Sequence, residues 1–313
     1  MLDIIGKRKW YFLISAMVII PGLVAMGISF ARWGTPFRLS IDFTSGSLLE
    51  VQFPEKVQPL QVREVVESQG IVDPSIQTVG DGSTVVIRTK PMEVEVKQAV
   101  ESALQQRFGT LTEMRFETVG PSVGREVTQA ATLAIIAGSL AILGFIVFAW
   151  RKVPNSMRYG VCATAATLHD ILVTLGFFSI MSLLLGWEAD ALFLTALLTV
   201  VGFSVQDTIV VFDRIRENIP KRRGEAYELI VNRSLLETLH RSLATQLNAV
   251  FVMIAILLFG GATIKQFVAV LLVGMISGSY SSIFNAVPLL VVWEKGELAN
   301  LFRPGRRQPA PTA

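Results

Sequence analysis

The stretch Val200–Asn218, VVGFSVQDTIVVFDRIREN, decides how this chain is read. It begins as an apolar helix and ends as a charged one. Upstream, Ala191 to Val205 is apolar apart from Thr195, Thr199 and Ser204. Gln206 and Asp207 then appear while the apolar character is still running, because Ile209, Val210, Val211 and Phe212 follow. Asp207 is therefore expected inside a hydrocarbon span. A carboxylate there costs at least ~2.5–3.5 kcal/mol on insertion scales, which makes it a functional-site candidate whose partner should be named. The plainer alternative is a helix-end Asp reaching headgroup water, since Asp213 and Arg214 lie less than two turns on.

The candidate partner is Arg241, which opens the next apolar run, Ser242 to Phe259. On a helix, Thr238, Arg241, Thr245 and Asn248 are spaced i, i+3, i+7, i+10 and share one face. Polar stripes on membrane helices point at other helices or at water. The alternative is an arginine whose head snorkels to the headgroups.

Composition sets the class. The chain has 313 residues, of which 51% are hydrophobic and 17% charged, with a mean hydropathy of +0.53. A soluble domain carries about 25% charged residues, so this reads as a polytopic α-helical membrane protein. Its single cysteine, Cys162, excludes an intramolecular disulfide and a thiolate metal site. A net charge of +3 points to no partner, because topology places the basic residues.

After Lys7, Arg8 and Lys9, the run over 10–31 is long enough to span the ~30 Å core. A removed signal peptide is the alternative, but the run exceeds an ordinary signal h-region and reads as an anchor. Residues 36–125 are different material, with charges, alternation and turns. SLLEVQF (Ser47–Phe53) alternates as a strand, Pro59–Ser68 has a helical pattern, and Ile76–Val79 and Thr84–Thr89 read as strands around Gly80-Asp81-Gly82. Met92–Phe108 carries a helical apolar face, and Glu113–Val119 is a last strand. The order β-α-β-β-α-β predicts a ferredoxin-like α+β domain with nothing catalytic in it. Five further spans follow at about 128–150, 157–181, 191–213, 242–259 and 266–292, making six. The basic residues cluster at Lys7–Lys9, Arg151, Lys152 and Arg158, Arg214–Arg233, and Arg303–Arg307. The positive-inside rule then places residues 1–9 and the 293–313 tail in the cytoplasm and the α+β domain outside.

Inside the membrane, the third span carries His169-Asp170, with Thr167, Asp170 and Thr174 on one face. No third ligand and no nucleophile motif accompanies them, so neither a metal site, a bound cofactor nor an enzyme is expected. A polar helix–helix contact or a supporting member of a proton path is. Gly274 and Gly278, followed by Ser281, Ser282 and Asn285, read as a packing face, with Pro288 bending the helix. Arg214–Leu239 is basic and amphipathic, open to a place on the membrane surface or to a solvated linker helix. Buried Asp and Arg in membranes mark proton or ion relays. Burial favours a neutral carboxyl and a nearby arginine the ionised one, so one carboxylate can load and unload protons. Asp207 is the expected carrier and Arg241 the expected gate.

An ordered set of stretches carries a resemblance. It runs through LSIDFTSGSLLEVQF (Leu39–Phe53), VGPSVGREV (Val119–Val127), His169-Asp170, GFSVQDTIVVFDRIREN (Gly202–Asn218), SLLETLHRSLATQ (Ser234–Gln246), FGG (Phe259–Gly261), and GSYSSIF with Pro288-Leu289-Leu290. Together they resemble the SecF family, the membrane subunits that work with SecD beside the bacterial Sec translocon and are related to RND-type transporters. The resemblance implies proton-motive-force-assisted protein export from the cell (inner) membrane, with a proton gradient as energy source. It implies as partners SecD, the SecYEG channel, a YajC-like accessory protein, the translocating polypeptide and membrane lipid, and no nucleic acid. The family's intramembrane acid matches Asp207 and its arginine matches Arg241, while a further acid would come from SecD. Asp213 matches an acidic position of the DRIREN motif. Gln206, Thr238, Thr245, Asn248, His169 and Asp170 are possible supporting residues. The chain departs from the family's pattern at Ser45, where a glycine is usual, and at Phe203, Gln206 and Gln246, so hydrogen bonds around Asp207 and Arg241 must differ. Two other readings compete: half of an RND-type small-molecule transporter, and a non-conducting scaffold of the translocon. One domain of about 90 residues argues against a drug-sized pocket of ~300–1,000 Å³.

Overall fold

Runs of apolar residues long enough to cross a bilayer must satisfy their backbone internally, and helices do this. In a computed structural model, which describes residues 3–80, 82–149, 156–222 and 224–296, the chain forms in order α1 (Arg8–Trp33), β1 (Arg38–Leu39), α2 (Ile41–Thr44), β2 (Gly46–Gln52), α3 (Pro59–Ser68), β3 (Ser75–Val79) and β4 (Thr84–Thr89). It continues with α4 (Val94–Phe108), β5 (Thr112–Val119), α5 (Pro121–Ala149), α6 (Ser156–Leu185), β6 (Glu188–Ala189), α7 (Ala191–Lys221), α8 (Tyr227–Phe259), α9 (Ala262–Ser281) and α10 (Val287–Glu294). The expected turn residue Asp81, the basic residues Arg151, Lys152, Arg223, Arg303, Arg306 and Arg307, and the tail beyond 296 lie outside the described residues. Two compact units result.

The α+β unit comprises Leu39–Ala134 with Glu188–Ala191. Its four longer strands pair antiparallel in the order β3-β4-β2-β5. Period-2 alternation puts Leu49, Val51, Val85 and Ile87 on one face, where they meet Val62 and Val66 of α3 and Val100 and Leu104 of α4. Burying each such side chain contributes roughly 1.5–3 kcal/mol. The opposite face carries the smaller cluster Ile41, Leu48 and Val86. The turn into β2 is unusual: Ser45 has φ 64° and ψ 160°, a region close to glycine-only. Gly46 follows at φ 134°, and a Cβ there would stand 2.6 Å from the Thr89 carbonyl oxygen. Along the α4 and β5 side, Lys97 Nζ donates to Glu113 at 2.5 Å and pairs with Glu101 at 3.3 Å. The hydrogen bond to Glu113 raises the Lys97 titration above the ordinary value of 10.5. Burial pushes the Glu101 carboxyl up.

The helical unit holds α1, the later part of α5, and α6 to α10. Among the described residues, five stretches are long and apolar enough to cross a membrane: Ile5–Trp33, Met157–Leu185, Ala191–Lys221, Tyr227–Phe259 and Ile264–Glu294. The stretch near 128–150 expected as a further span lies on α5 as far as Ala149; α5 is not among those five, and residue 150 lies outside the described residues. Lipid is as apolar as leucine, so close packing and polar contacts hold such helices together. Gly22 of α1 faces Gly176 of α6 so closely that a Cβ on Gly22 would stand 2.6 Å from the Gly176 Cα. A hydrogen bond between Ser29 and Ser179 at 3.1 Å extends that seam. Gly274 of α9 receives the Val200 side chain of α7, and Gly278 lies against Ser204.

One expectation is corrected. The basic stretch 214–239 is not a separate surface helix: α7 runs on to Lys221, and α8 is continuous from Tyr227 through the apolar run. Ile230, Val231 and Leu235 are buried, and the latter two pack with Ile5, Tyr159, Phe212 and Ile215. Their burial against other helices outweighs any gain from lying on a surface. In the last span, where Pro288 is expected to bend the helix, Ser282–Ala286 forms a π turn ahead of Pro288, which lies in the first turn of α10. Proline lacks the N–H that an unbroken helix requires.

Candidate functional site

Among the described residues, two carboxylates lie buried in the helical unit. Asp207, on α7, is 9% exposed, and its Oδ2 accepts a hydrogen bond of 2.5 Å from Gln246 Nε2 of α8. Arg241, the expected partner, lies on the exposed face of α8 and makes no ion pair among the described residues. The expected stripe Thr238–Arg241–Thr245–Asn248 is therefore not the inward one. Thr238 is buried, but Arg241, Thr245 and Asn248 are exposed, and the Thr245 hydroxyl donates to the Arg241 carbonyl at 3.0 Å. Inward instead are Ser234, Thr238, Ser242 and Gln246, four residues apart. At 100° per residue, Gln246 sits about 140° around the helix from Arg241, so both cannot face α7.

Gln206 is exposed and lines an open groove of about 530 Å³ with Ala141, Phe145, Gly202 and Ile209. Asp213 pairs with Arg216 one turn along α7 at 2.7 Å, and so is not joined to Asp207.

The second carboxylate is the more enclosed. Asp170 of α6 has no exposed surface. Its Oδ2 accepts from Ser204 of α7 and Ser281 of α9, both at 2.6 Å. Its Oδ1 accepts from Ser277 of α9 at 2.6 Å and lies 3.0 Å from His169 Nδ1. Two helices, α7 and α9, thus direct three hydroxyls at one carboxylate on α6, and the Gly278–Ser204 approach brings α7 and α9 close enough to do so. His169 Nε2 is buried without a hydrogen-bond partner. Leaving such an atom unsatisfied costs about 1–3 kcal/mol. His169 stacks on Tyr280, centroids 6.2 Å apart, and borders a cavity of about 310 Å³ with Ile14, Ser15, Val18, Ile276 and Ser277.

Sequence reasoning placed His169 and Asp170 as supporting residues and took Ser281 for packing alone. It missed Ser204 and Ser277, and treated Gln246 only as a departure. The signal for the serines was present: Ser277 and Ser281 are one turn apart on α9. Among the described residues, no group of three or more His, Cys, Asp or Glu is arranged to hold a metal ion.

The SecD/SecF C-terminal family of protein export membrane proteins matches residues 99–296, and the SecD/SecF GG motif matches residues 33–53. A protein translocase subunit SecF from Anaerolinea thermophila is 47% identical over 311 residues, covering 98% of this chain and 99% of that protein. One from Thermobaculum terrenum is 45% identical over 324 residues and the full length of both. The crystal structure of SecDF, a translocon-associated membrane protein from Thermus thermophilus, superposes on 94% of this chain with a TM-score of 0.78 and 30% identity. This chain spans 39% of that one.

Proposed function

Because this chain belongs to the SecF family of protein translocase subunits, a multi-pass membrane family, we propose that it assists Sec-dependent protein export together with SecD by using the proton motive force. Asp207 is the proton carrier in this reading. The observation that supports it is a buried carboxylate held by one neutral donor, Gln246. A neutral donor leaves the acid able to exist in both charge states, where a tight arginine pair would lock it ionised. Arg241, on the exposed face of α8, is available to an acid supplied by SecD. A proton crossing 100 mV yields ~2.3 kcal/mol, enough to bias a two-state motion.

The proposed architecture is six spans with α5 as the second. The α+β unit is a ferredoxin-like domain, a reading supported by its strand order and antiparallel pairing. The basic loops favour cytoplasmic termini and an external α+β unit that handles the emerging polypeptide. The SecYEG channel, a YajC-like protein and lipid are the further proposed neighbours. Neither a cofactor nor enzymatic chemistry enters the scheme.

The test is export of a secreted reporter in cells carrying Asp207→Asn or Arg241→Met, with assembly of the chain and SecD measured alongside. Export that falls while assembly persists supports the relay. Unchanged export in Asp207→Asn overturns it and leaves a scaffold.

A further inference from the structure

We propose that His169 and Asp170 form a second proton-binding site in the helical unit, separate from Asp207, in which the imidazole passes protons between cavity water and the Asp170 carboxylate. The inference extends the proton-driven reading above and rests on it for its purpose, but not for its geometry.

The arrangement fixes the direction of each step. With Nδ1 placed 3.0 Å from Asp170 Oδ1, the neutral imidazole carries its proton on Nδ1 and presents a bare lone pair at Nε2. That nitrogen is buried and unpartnered, and His169 borders, with Ser15, Ser277 and Tyr280, a cavity of about 310 Å³ otherwise lined by aliphatic side chains. A proton taken from hydrated cavity water at Nε2 allows the Nδ1 proton to pass to Oδ1. The carboxylate becomes a carboxylic acid, and the imidazole is left as its other neutral tautomer. The reverse sequence returns the proton.

The cage around Asp170 is built to tolerate both states. Ionised, the carboxylate accepts from Ser204, Ser277 and Ser281. When Oδ1 takes the proton it donates back to the now bare Nδ1, while Ser277 still donates to Oδ1 and Ser204 and Ser281 still donate to Oδ2. The hydroxyls sit at direct hydrogen-bond distance from the carboxylate, so a metal cation could enter only by displacing them. The cage suits a proton.

The other titratable groups on packed elements are few. Tyr280 of α9 stacks on His169 and donates its hydroxyl to the Tyr11 carbonyl of α1 at 2.7 Å. Asp207 of α7 lies one turn from Ser204. No Lys, Arg, Asp or Glu is among the residues lining the cavity.

The test uses the full chain assembled with SecD in lipid vesicles and reads the infrared C=O stretch of protonated carboxyls. The band assigned to Asp170 is the one missing from Asp170→Asn. It should grow as the pH is lowered and protons become available to the carboxylate. Its hydrogen–deuterium exchange should slow by roughly a hundredfold in His169→Gln, which keeps an amide donor but cannot relay a proton. Asp207→Asn should leave the band in place. A band that does not respond to pH, or an exchange rate unchanged in His169→Gln, overturns the proposal and makes the cage a helix clamp. Export in Asp207→Asn reports on the Asp207 relay separately, so either reading can fail alone.

Discussion

Gln246 Nε2 on α8 lies 2.5 Å from Asp207 Oδ2 on α7, while Arg241, five residues earlier on the same helix, faces outward. The buried acid is therefore steadied inside the chain by a neutral amide. Gln246→Leu should leave Asp207 without its donor at a cost of about 1–3 kcal/mol. A drop in reporter export of roughly tenfold or more is expected at unchanged chain level. Export at the wild-type rate would show the hydrogen bond to be dispensable.

Arg241 makes the opposite prediction. It contacts no acid among the described residues, so Arg241→Met should move the melting temperature of the isolated full-length chain little, within about 0.5 kcal/mol. Export in the presence of SecD should nonetheless fall. A large loss of stability in the isolated chain would place Arg241 in an internal pair instead.

The Gly22–Gly176 approach brings two helix backbones together with no room for a side chain. Gly22→Val should force α1 off α6 and cost about 1–3 kcal/mol as overpacking. Thermal unfolding in detergent measures it, and Gly27→Val, where a Cβ meets nothing within 4 Å, is the control.

Ser45 occupies backbone space that glycine enters without strain. Ser45→Gly should therefore stabilise the turn into β2 by about 1 kcal/mol or more. Gly46→Ala should destabilise it, because the new Cβ meets the Thr89 carbonyl. Hydrogen exchange of residues 46–52 and 84–89 in the full chain distinguishes the two.

Lys97 supplies a pH dependence. Its folded titration is raised above the ordinary value of 10.5 by Glu113. A raised lysine contributes stability that is complete below the unfolded value and is lost as pH rises through the folded one. Local protection of α4 and β5 should thus fall above about pH 10.5, and Lys97→Met should remove that dependence. Protection that is indifferent to pH in the wild type would show the pair to be too solvent-screened to matter.

Much of the element pattern was legible. The alternation of SLLEVQF coincides with β2, and the proline-opened pattern at Pro59–Ser68 coincides with α3. Residues 214–239 were misread because charge suggested a boundary where α8 is continuous. The polar site was legible only in its members. Asp207, Asp170 and His169 stand out as polar residues in apolar runs, yet the stripe expected on α8 was one face away from the stripe that turns inward.

Sequence by itself determined that the chain lives in a membrane, roughly where its apolar helices run, and that acids lie within them. Those properties are local: hydropathy and a period of 3.6 or 2 are written one segment at a time. Only the tertiary structure decided that Asp170 draws three serines from two other helices, and that Gln246 rather than Arg241 meets Asp207. Periodicity defines which residues share a face but not which face meets a neighbour. That rotation is set where helices come closest, at Gly22 against the Gly176 backbone and at Gly274 against the Val200 side chain, between residues far apart in the chain.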